Sequence, residues 1–151
     1  MRHARLHQLR LRQRAVFLLG GAAIGLAGAV MAIGAIAAQD LFDRLRHAAP
    51  LAPLVVTPLG FVLLSWITRR YVPNAEGSGI PQAIAARKLW SRQERAKLVS
   101  LWIGLNKIPL TLAGLAIGAS IGREGPTVQV GASIMFAIGR LSPARQPGLI
   151  L

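Results

Sequence analysis

Two short loops in the sequence combine glycine, proline and polar residues in a pattern that can hold an anion. The first loop is Gly77-Ser-Gly-Ile-Pro81 and the second loop is Gly122-Arg-Glu-Gly-Pro126. Glycine permits unusual backbone angles, and proline favours the first turn of a helix, where its missing N–H costs nothing. Each loop therefore predicts a helix start, whose free N–H groups carry roughly half a positive charge and bind anions. The pair indicates an anion pathway, although a plain interfacial turn is the alternative for the first loop.

An acidic residue, Glu124, lies in the second loop between two apolar stretches. A charged side chain near the bilayer centre costs at least about 2.5–3.5 kcal/mol, so its presence there indicates a function. We expect the Glu124 carboxylate to occupy an anion site at the helix start and to leave it when protonated, as a gate and a proton carrier. A static ion pair with Arg123 is the alternative. Lys107 also lies in an apolar stretch, and for it we favour a structural role over a part in the anion route.

The composition excludes several other classes of protein. The 151 residues are 53% hydrophobic and 15% charged, with a mean hydropathy of +0.48 and a net charge of +13. Such a chain is a membrane protein or an unusual nucleic-acid binder, and no aromatic residue is interleaved with the basic residues of its N-terminus, so we expect no nucleic-acid partner. There are no cysteines, and the three histidines lack metal-ligand spacing, so we expect no metal site. G-x-S-x-G and P-loop motifs are absent, so we do not expect an enzyme.

The first element that must position the loops is a predicted transmembrane helix. Residues 15–38 form an uncharged stretch of 24 residues, whereas the apolar core of a secretory signal has only about 7–15. Within it Gly21, Gly25 and Ala29 form a stripe of small residues that would let another helix approach closely. The general abundance of Gly and Ala is the alternative explanation of this stripe.

Three further stretches predict the remaining apolar elements. Residues 48–68 are uncharged but contain three prolines, and their regular helix is predicted to start near Pro58. Residues 98–122 are apolar apart from Lys107, and residues 125–139 form a shorter uncharged stretch of 15 residues. The second loop lies between these last two stretches, so its position relative to the membrane depends on both.

The distribution of Lys and Arg predicts the orientation in the membrane. Basic residues are concentrated in residues 1–14, at Arg69 and Arg70, and in residues 87–97, whereas the charges of residues 39–47 balance. The positive-inside rule places the three basic segments in the cytoplasm and residues 39–47 outside. We therefore expect a multi-pass protein of the inner membrane, with a basic cytoplasmic tail at residues 1–14 and a membrane domain from residue 15 to residue 151.

The two loops resemble the first two signature motifs of the CLC family of chloride channels and chloride/proton antiporters. The matching residues are Gly77-Ser-Gly-Ile-Pro81 and Gly122-Arg-Glu-Gly-Pro-Thr-Val-Gln129, in the family's order and at about its separation. Lys107 also falls where the family has a lysine. The resemblance implies an all-α membrane fold, a bundle of tilted and broken transmembrane helices of which this chain is the first part. It further implies a homodimer with one pore in each subunit.

The resemblance also implies roles for individual residues. Ser78 would coordinate the central chloride, with help from the backbone amides near Gly79 and Ile80. Glu124 would be the external gate and, in an antiporter, part of the proton route, while the amide of Gly125 would line the outer anion site. Chloride is then the transported ligand, protons are a second possible one, and no cofactor is needed. Five other motif residues would support the loops: Gly77, Pro81, Gly122, Arg123 and Pro126.

The resemblance covers nearly all of the chain, but only about the first third of the family's membrane domain. A third motif of the form G-x-F-x-P, a late chloride-contacting tyrosine and the inner glutamate of antiporters do not occur within these residues. The choice between a channel and an antiporter therefore stays open. The alternative function is that of a truncated membrane fragment, which does not transport and has a structural or partner-binding role.

Overall fold

The first apolar stretch lies inside one long helix. The computed structural model describes residues 2–139, with side chains from residue 13, and its first helix, α1, spans Arg2–Ala48. At about 1.5 Å per residue, the 47 residues of α1 measure roughly 70 Å, more than twice the ~30 Å hydrocarbon core of a bilayer. Helical structure therefore continues beyond the uncharged stretch in both directions.

Five more helices follow in the described part of the chain, where no strand occurs, and this confirms the predicted all-α fold. They are α2 (Pro53–Tyr71), α3 (Ile80–Lys88), α4 (Arg92–Val99), α5 (Leu101–Ala116) and α6 (Glu124–Ile138). By length and composition, two helical stretches could cross a membrane, Gln13–Ala48 and Arg92–Ala116. The second of these stretches combines α4 with α5.

Helix α2 begins earlier than the sequence predicts. The expected start near Pro58 is wrong, because the helix begins at Pro53 and Pro58 lies inside it. Pro53 occupies the first turn, where the missing N–H has no partner to lose, so this proline starts the helix. Pro58 removes one interior hydrogen bond and is tolerated there. The neighbouring Thr57 donates its hydroxyl to the carbonyl of Ile117 at 2.7 Å, which attaches α2 to the end of α5.

The apolar stretch at residues 98–122 is divided rather than continuous. Ser100 is extended between α4 and α5, and its hydroxyl accepts a hydrogen bond from the N–H of Ile103 at 3.4 Å. Helix α5 ends at Ala116, and Gly118 follows with a φ of 91°, the left-handed conformation that commonly ends helices. The chain then reaches α6 through the second loop.

Helices α1, α5 and α6 pack against one another and form the scaffold of the molecule. Ala35 and Ala38 of α1 are buried against Leu115 of α5. The helix axes come close at glycines that face larger side chains. A Cβ at Gly34 would lie 2.6 Å from Leu112 Cδ1, and a Cβ at Gly104 would lie 2.6 Å from the Cβ of Ser133. Small residues therefore allow the close packing of apolar helices in this fold.

The predicted small-residue contact on α1 is not made by the described residues. A Cβ at Gly21 or at Gly25 would meet nothing within 4 Å, whereas a Cβ at Gly20 would lie 3.2 Å from the sulfur of Met135 on α6. The face of α1 that packs internally is therefore the one bearing Gly20 and Gly34. The stripe at Gly21, Gly25 and Ala29 is exposed.

Candidate functional site

The first loop is a helix start, as its sequence predicts. Gly77 and Gly79 have φ values of 67° and 89°, which strain any residue with a side chain. Gly79 is the N-cap residue of α3, and Pro81 lies in the first turn of that helix. Ser78, between the two glycines, is exposed and does not use its side chain to cap the helix. Its hydroxyl is therefore not occupied by the helix that it precedes.

The second loop is also a helix start. Helix α6 begins at Glu124, with Arg123 as its N-cap residue and Pro126 in its first turn. The hydroxyl of Thr127 donates back to the carbonyl of Arg123 at 2.8 Å. The Glu124 side chain is exposed at the positive end of α6, where a negative charge is stabilised by the helix dipole.

The two loops touch each other. Gly125 is buried, and a Cβ on it would lie 2.5 Å from the carbonyl oxygen of Ser78 and 2.9 Å from the Cβ of Ser78. Only a residue without a side chain allows this approach. The starts of α3 and α6, 46 residues apart in the sequence from Ser78 to Glu124, therefore meet at one place.

An open cleft of about 720 Å³ lies beside this contact. Both loops line it, together with α2, α5 and the segment between α5 and α6. Of the sequence-predicted site residues, those lining the cleft are Gly77, Ser78, Ile80, Gly122, Glu124, Gly125 and Pro126. The other three, Gly79, Pro81 and Arg123, do not line it. Three of the four anion-holding candidates, all but Gly79, thus share one open space with the candidate gate.

The predicted alternative of an ion pair between Glu124 and Arg123 is not observed. In the described part of the chain the one salt bridge joins Arg46 and Asp43, at 3.1 Å. Arg123 instead donates to the carbonyl of Ala32 on α1 at 3.3 Å. The Glu124 carboxylate therefore lines the cleft with no cation bonded to it among residues 13–139.

Lys107 has the structural position that the sequence analysis favours for it. Its side chain is 3% exposed, and its Nζ donates to the carbonyls of Ala75 and Gly77, each at 2.6 Å. Hydrogen bonds from an ammonium group are stronger than those between neutral groups. Lys107 therefore ties α5 to the chain immediately before Ser78, and it also lines the cleft.

Sequence reasoning assigns no role to Gln129, which the structure places behind the first loop. This residue of α6 is completely buried, and its Nε2 donates to the carbonyls of Asn74 and Leu98 at 3.0 and 3.1 Å. A Cβ at Gly79 would lie 2.6 Å from the Cβ of Gln129, so Gly79 packs directly against it. The available signal was an amide side chain inside a mostly apolar helix, but a sequence alone does not show which group such an amide bonds to.

Comparison with known proteins gives one family and several relatives. Residues 60–151 match the family described as Voltage gated chloride channel, and both loops lie inside the match. An H(+)/Cl(-) exchange transporter ClcA of Citrobacter koseri is 34% identical over 92 residues, which are 54% of this chain and 18% of that protein. The transporter of the same name from Vibrio vulnificus is 34% identical over 108 residues, 67% of this chain and 20% of its own length. The chain therefore spans about a fifth of these relatives, and no solved structure gives a significant match.

Proposed function

The chain belongs to the voltage-gated chloride channel family, and from this we propose that it supplies the anion-binding and gating part of a chloride pathway through a membrane. Its relatives are named H(+)/Cl(-) exchange transporters, so we extend the proposal to chloride/proton exchange by the whole protein. The observation that carries the proposal is the contact between the two helix starts, where Gly125 meets Ser78 beside an open cleft.

Chloride is held in this proposal by hydrogen-bond donors rather than by a full positive charge. Ser78 offers its hydroxyl, and the amide N–H groups at Gly79 and Ile80 lie at the positive end of α3. The N–H of Gly125 adds the start of α6. Such partial charges bind an anion weakly enough to release it, which a conduction pathway requires.

Glu124 is the gate in this proposal. Its ionised carboxylate occupies the anion position at the start of α6, and protonation removes the charge and frees the position for chloride. Its exposure in the cleft supports this role, because protons from water can reach it. The absence of a bonded cation around Glu124 in the described residues also supports it, since a fixed ion pair would hold the side chain in place.

We further propose a homodimer in the inner membrane with the N-terminus in the cytoplasm. The support is the family membership and the position of the basic segments. Arg69 and Arg70 lie in the last turn of α2, beside the exposed aromatic rings of Trp66 and Tyr71. Aromatic and basic residues together are typical of a membrane–water interface, and basic ones favour the cytoplasmic side.

The gate is tested by Glu124→Gln in the full-length protein reconstituted into liposomes. The amide mimics a permanently protonated carboxyl, so we expect chloride efflux that no longer depends on pH, with proton coupling lost. Glu76→Gln is the matched control, because Glu76 also lines the cleft but is not at a helix start. An unchanged pH profile in Glu124→Gln, or the same change in both variants, would refute the gate.

The anion site is tested by Ser78→Ala, with Ser120→Ala as its control because both serines line the cleft. Loss of the Ser78 hydroxyl should change the ratio of chloride to nitrate flux, whereas loss of the Ser120 hydroxyl should not. Identical ratios in the wild-type protein and Ser78→Ala would show that Ser78 does not coordinate the anion. If the full-length wild-type protein carries no chloride at all, the alternative of a non-transporting membrane protein is the better one.

A further inference from the structure

Four consecutive backbone carbonyls directly before Ser78 accept hydrogen bonds from side chains. The bonds are Gln129 Nε2 to Asn74 O at 3.0 Å, Lys107 Nζ to Ala75 O at 2.6 Å, Gln82 Nε2 to Glu76 O at 2.8 Å and Lys107 Nζ to Gly77 O at 2.6 Å. Each of these oxygens would otherwise present a partial negative charge close to the first loop. The segment 74–77, which leads into Ser78, is therefore fixed by three side chains from α3, α5 and α6.

Gln129 holds the segment 74–77 through one amide group that joins three parts of the chain. It lies on α6, five residues after Glu124, and its Nε2 bonds to residues before α3 and at the end of α4. Since only the amide nitrogen can donate to two carbonyls, these contacts fix which way the amide is turned. Gln129 is thus linked to the start of α6 by the helix itself, to residue Asn74 just before the first loop by a hydrogen bond, and to Gly79 of the first loop by packing.

The remaining atom of this amide also faces the first loop. Gln129 Oε1 is buried and has no hydrogen-bond partner among the described residues. It would lie 2.7 Å from a Cβ at Gly79. A buried polar atom without a partner is unfavourable, and a leucine or methionine would fill the same space without that penalty. Simple core packing therefore does not explain why an amide occupies this position.

We propose that Gln129 is a positioning residue of the anion site, which sets the placement of the first loop relative to the start of α6. By holding the carbonyl of Asn74 and packing against Gly79, it keeps Ser78 against Gly125. The inference rests on the proposed function, because it explains how the two helix starts are aligned for one anion. Gln129 does not touch the anion in this scheme and acts through the backbone of the first loop.

The test compares two fully buried residues on the same helix in the full-length protein. Gln129→Met keeps the length and volume of the side chain but removes both donors. Ser133→Ala is the matched control, because Ser133 is also 0% exposed, lies one turn later and has a hydroxyl without a hydrogen-bond partner among the described residues. Chloride Kd by calorimetry and the chloride-to-nitrate flux ratio are measured on protein that elutes as a single folded species.

We expect Gln129→Met to weaken chloride binding roughly five- to tenfold, which corresponds to the loss of about one hydrogen bond. We also expect it to shift the chloride-to-nitrate flux ratio. Ser133→Ala should keep both values. A wild-type Kd and flux ratio in Gln129→Met, or equal shifts in both variants, would overturn the inference while the proposed function stands. Absence of chloride flux in the wild-type protein would instead overturn the proposed function.

A second variant covers the case in which Gln129→Met does not fold. Gln129→Asn keeps the amide but is one methylene shorter, so it cannot reach both carbonyls. We expect a smaller shift in chloride Kd in the same direction. If the Asn variant binds chloride as the wild-type protein does, the position of the amide does not matter and the inference is wrong.

Discussion

The contact between the two loops makes Gly125→Ala a decisive perturbation. The added Cβ would lie 2.5 Å from Ser78 O, whereas ordinary van der Waals contact begins at 3.4 Å, so the atoms must separate by about 0.9 Å. The neighbouring atoms are the backbone of the first loop and the Cβ of Ser78, not the movable end of a long side chain. The loop is also held by Lys107, which bonds to the carbonyl of Gly77, and by Gln129, which packs against Gly79. The two helix starts must therefore move apart.

We expect Gly125→Ala to impair chloride binding more than it destabilises the fold. Overpacking costs about 1–3 kcal/mol, and replacing glycine by alanine in a helix returns up to about 1 kcal/mol, so a net loss of roughly 0–3 kcal/mol is expected. A misplacement of about 1 Å in a functional site, however, can reduce its activity by about 100-fold. We therefore expect Gly125→Ala to remain folded and to lose at least about tenfold in chloride affinity.

The assay is chloride binding by calorimetry, together with chloride efflux from proteoliposomes containing the full-length protein. Gly131→Ala is the matched control on the same helix, because its Cβ would lie 3.6 Å from Ile24 Cγ2, an ordinary contact. The control should bind chloride normally and be slightly more stable. Wild-type affinity in Gly125→Ala, with folded protein, would refute the reasoning that the loop contact builds the anion site.

Three other substitutions test the scaffold through unfolding of the purified protein in detergent. Lys107→Met leaves the carbonyls of Ala75 and Gly77 without a donor, and we expect the free energy of unfolding to fall by about 1–3 kcal/mol. The loss is limited because the variant no longer buries a charge. An unchanged melting temperature would contradict this. Thr57→Val removes the bond to Ile117 and should cost about 1 kcal/mol, with Thr68→Val, whose hydroxyl bonds within its own helix, costing less. Gly34→Ala would place a Cβ 2.6 Å from Leu112 and should destabilise the protein by about 1–3 kcal/mol. Gly21→Ala is its control, because a Cβ there would meet nothing within 4 Å, and it should be neutral or stabilising. Equal effects of the two variants would mean that α1 and α5 are not packed as described.

Local chemistry explains the parts of the fold that the sequence predicts correctly. Glycine and proline act on the backbone at their own positions, so both G-x-x-x-P loops are helix starts as expected. The start of α2 was mispredicted because three prolines compete within residues 48–68. Pro53 takes the first turn, and the packing of α2 against α5 offsets the free-energy cost of Pro58 inside the helix.

The arrangement of the site depends on contacts that no local pattern contains. The bond from Lys107 to Gly77 spans 30 residues, and the bond from Gln129 to Asn74 spans 55. The contact of Gly125 with Ser78 likewise depends on how α3 and α6 pack. Sequence reasoning could name the residues of each loop, but not that the loops meet. For the same reason it placed the close packing of α1 at Gly21 and Gly25 instead of at Gly34.

The convergence of two helix starts also gives a physical reason for the single acidic gate in the function that we propose. Each start contributes roughly half a positive charge, so the pair together stabilises about one negative charge. Side-chain donors meanwhile occupy the four carbonyls that precede Ser78, so their negative ends are not free to oppose an anion. A single carboxylate or a single chloride satisfies such a site, whereas both together would leave it with excess negative charge. In the function that we propose, Glu124, the first residue of α6, competes with chloride directly, and its protonation ends the competition.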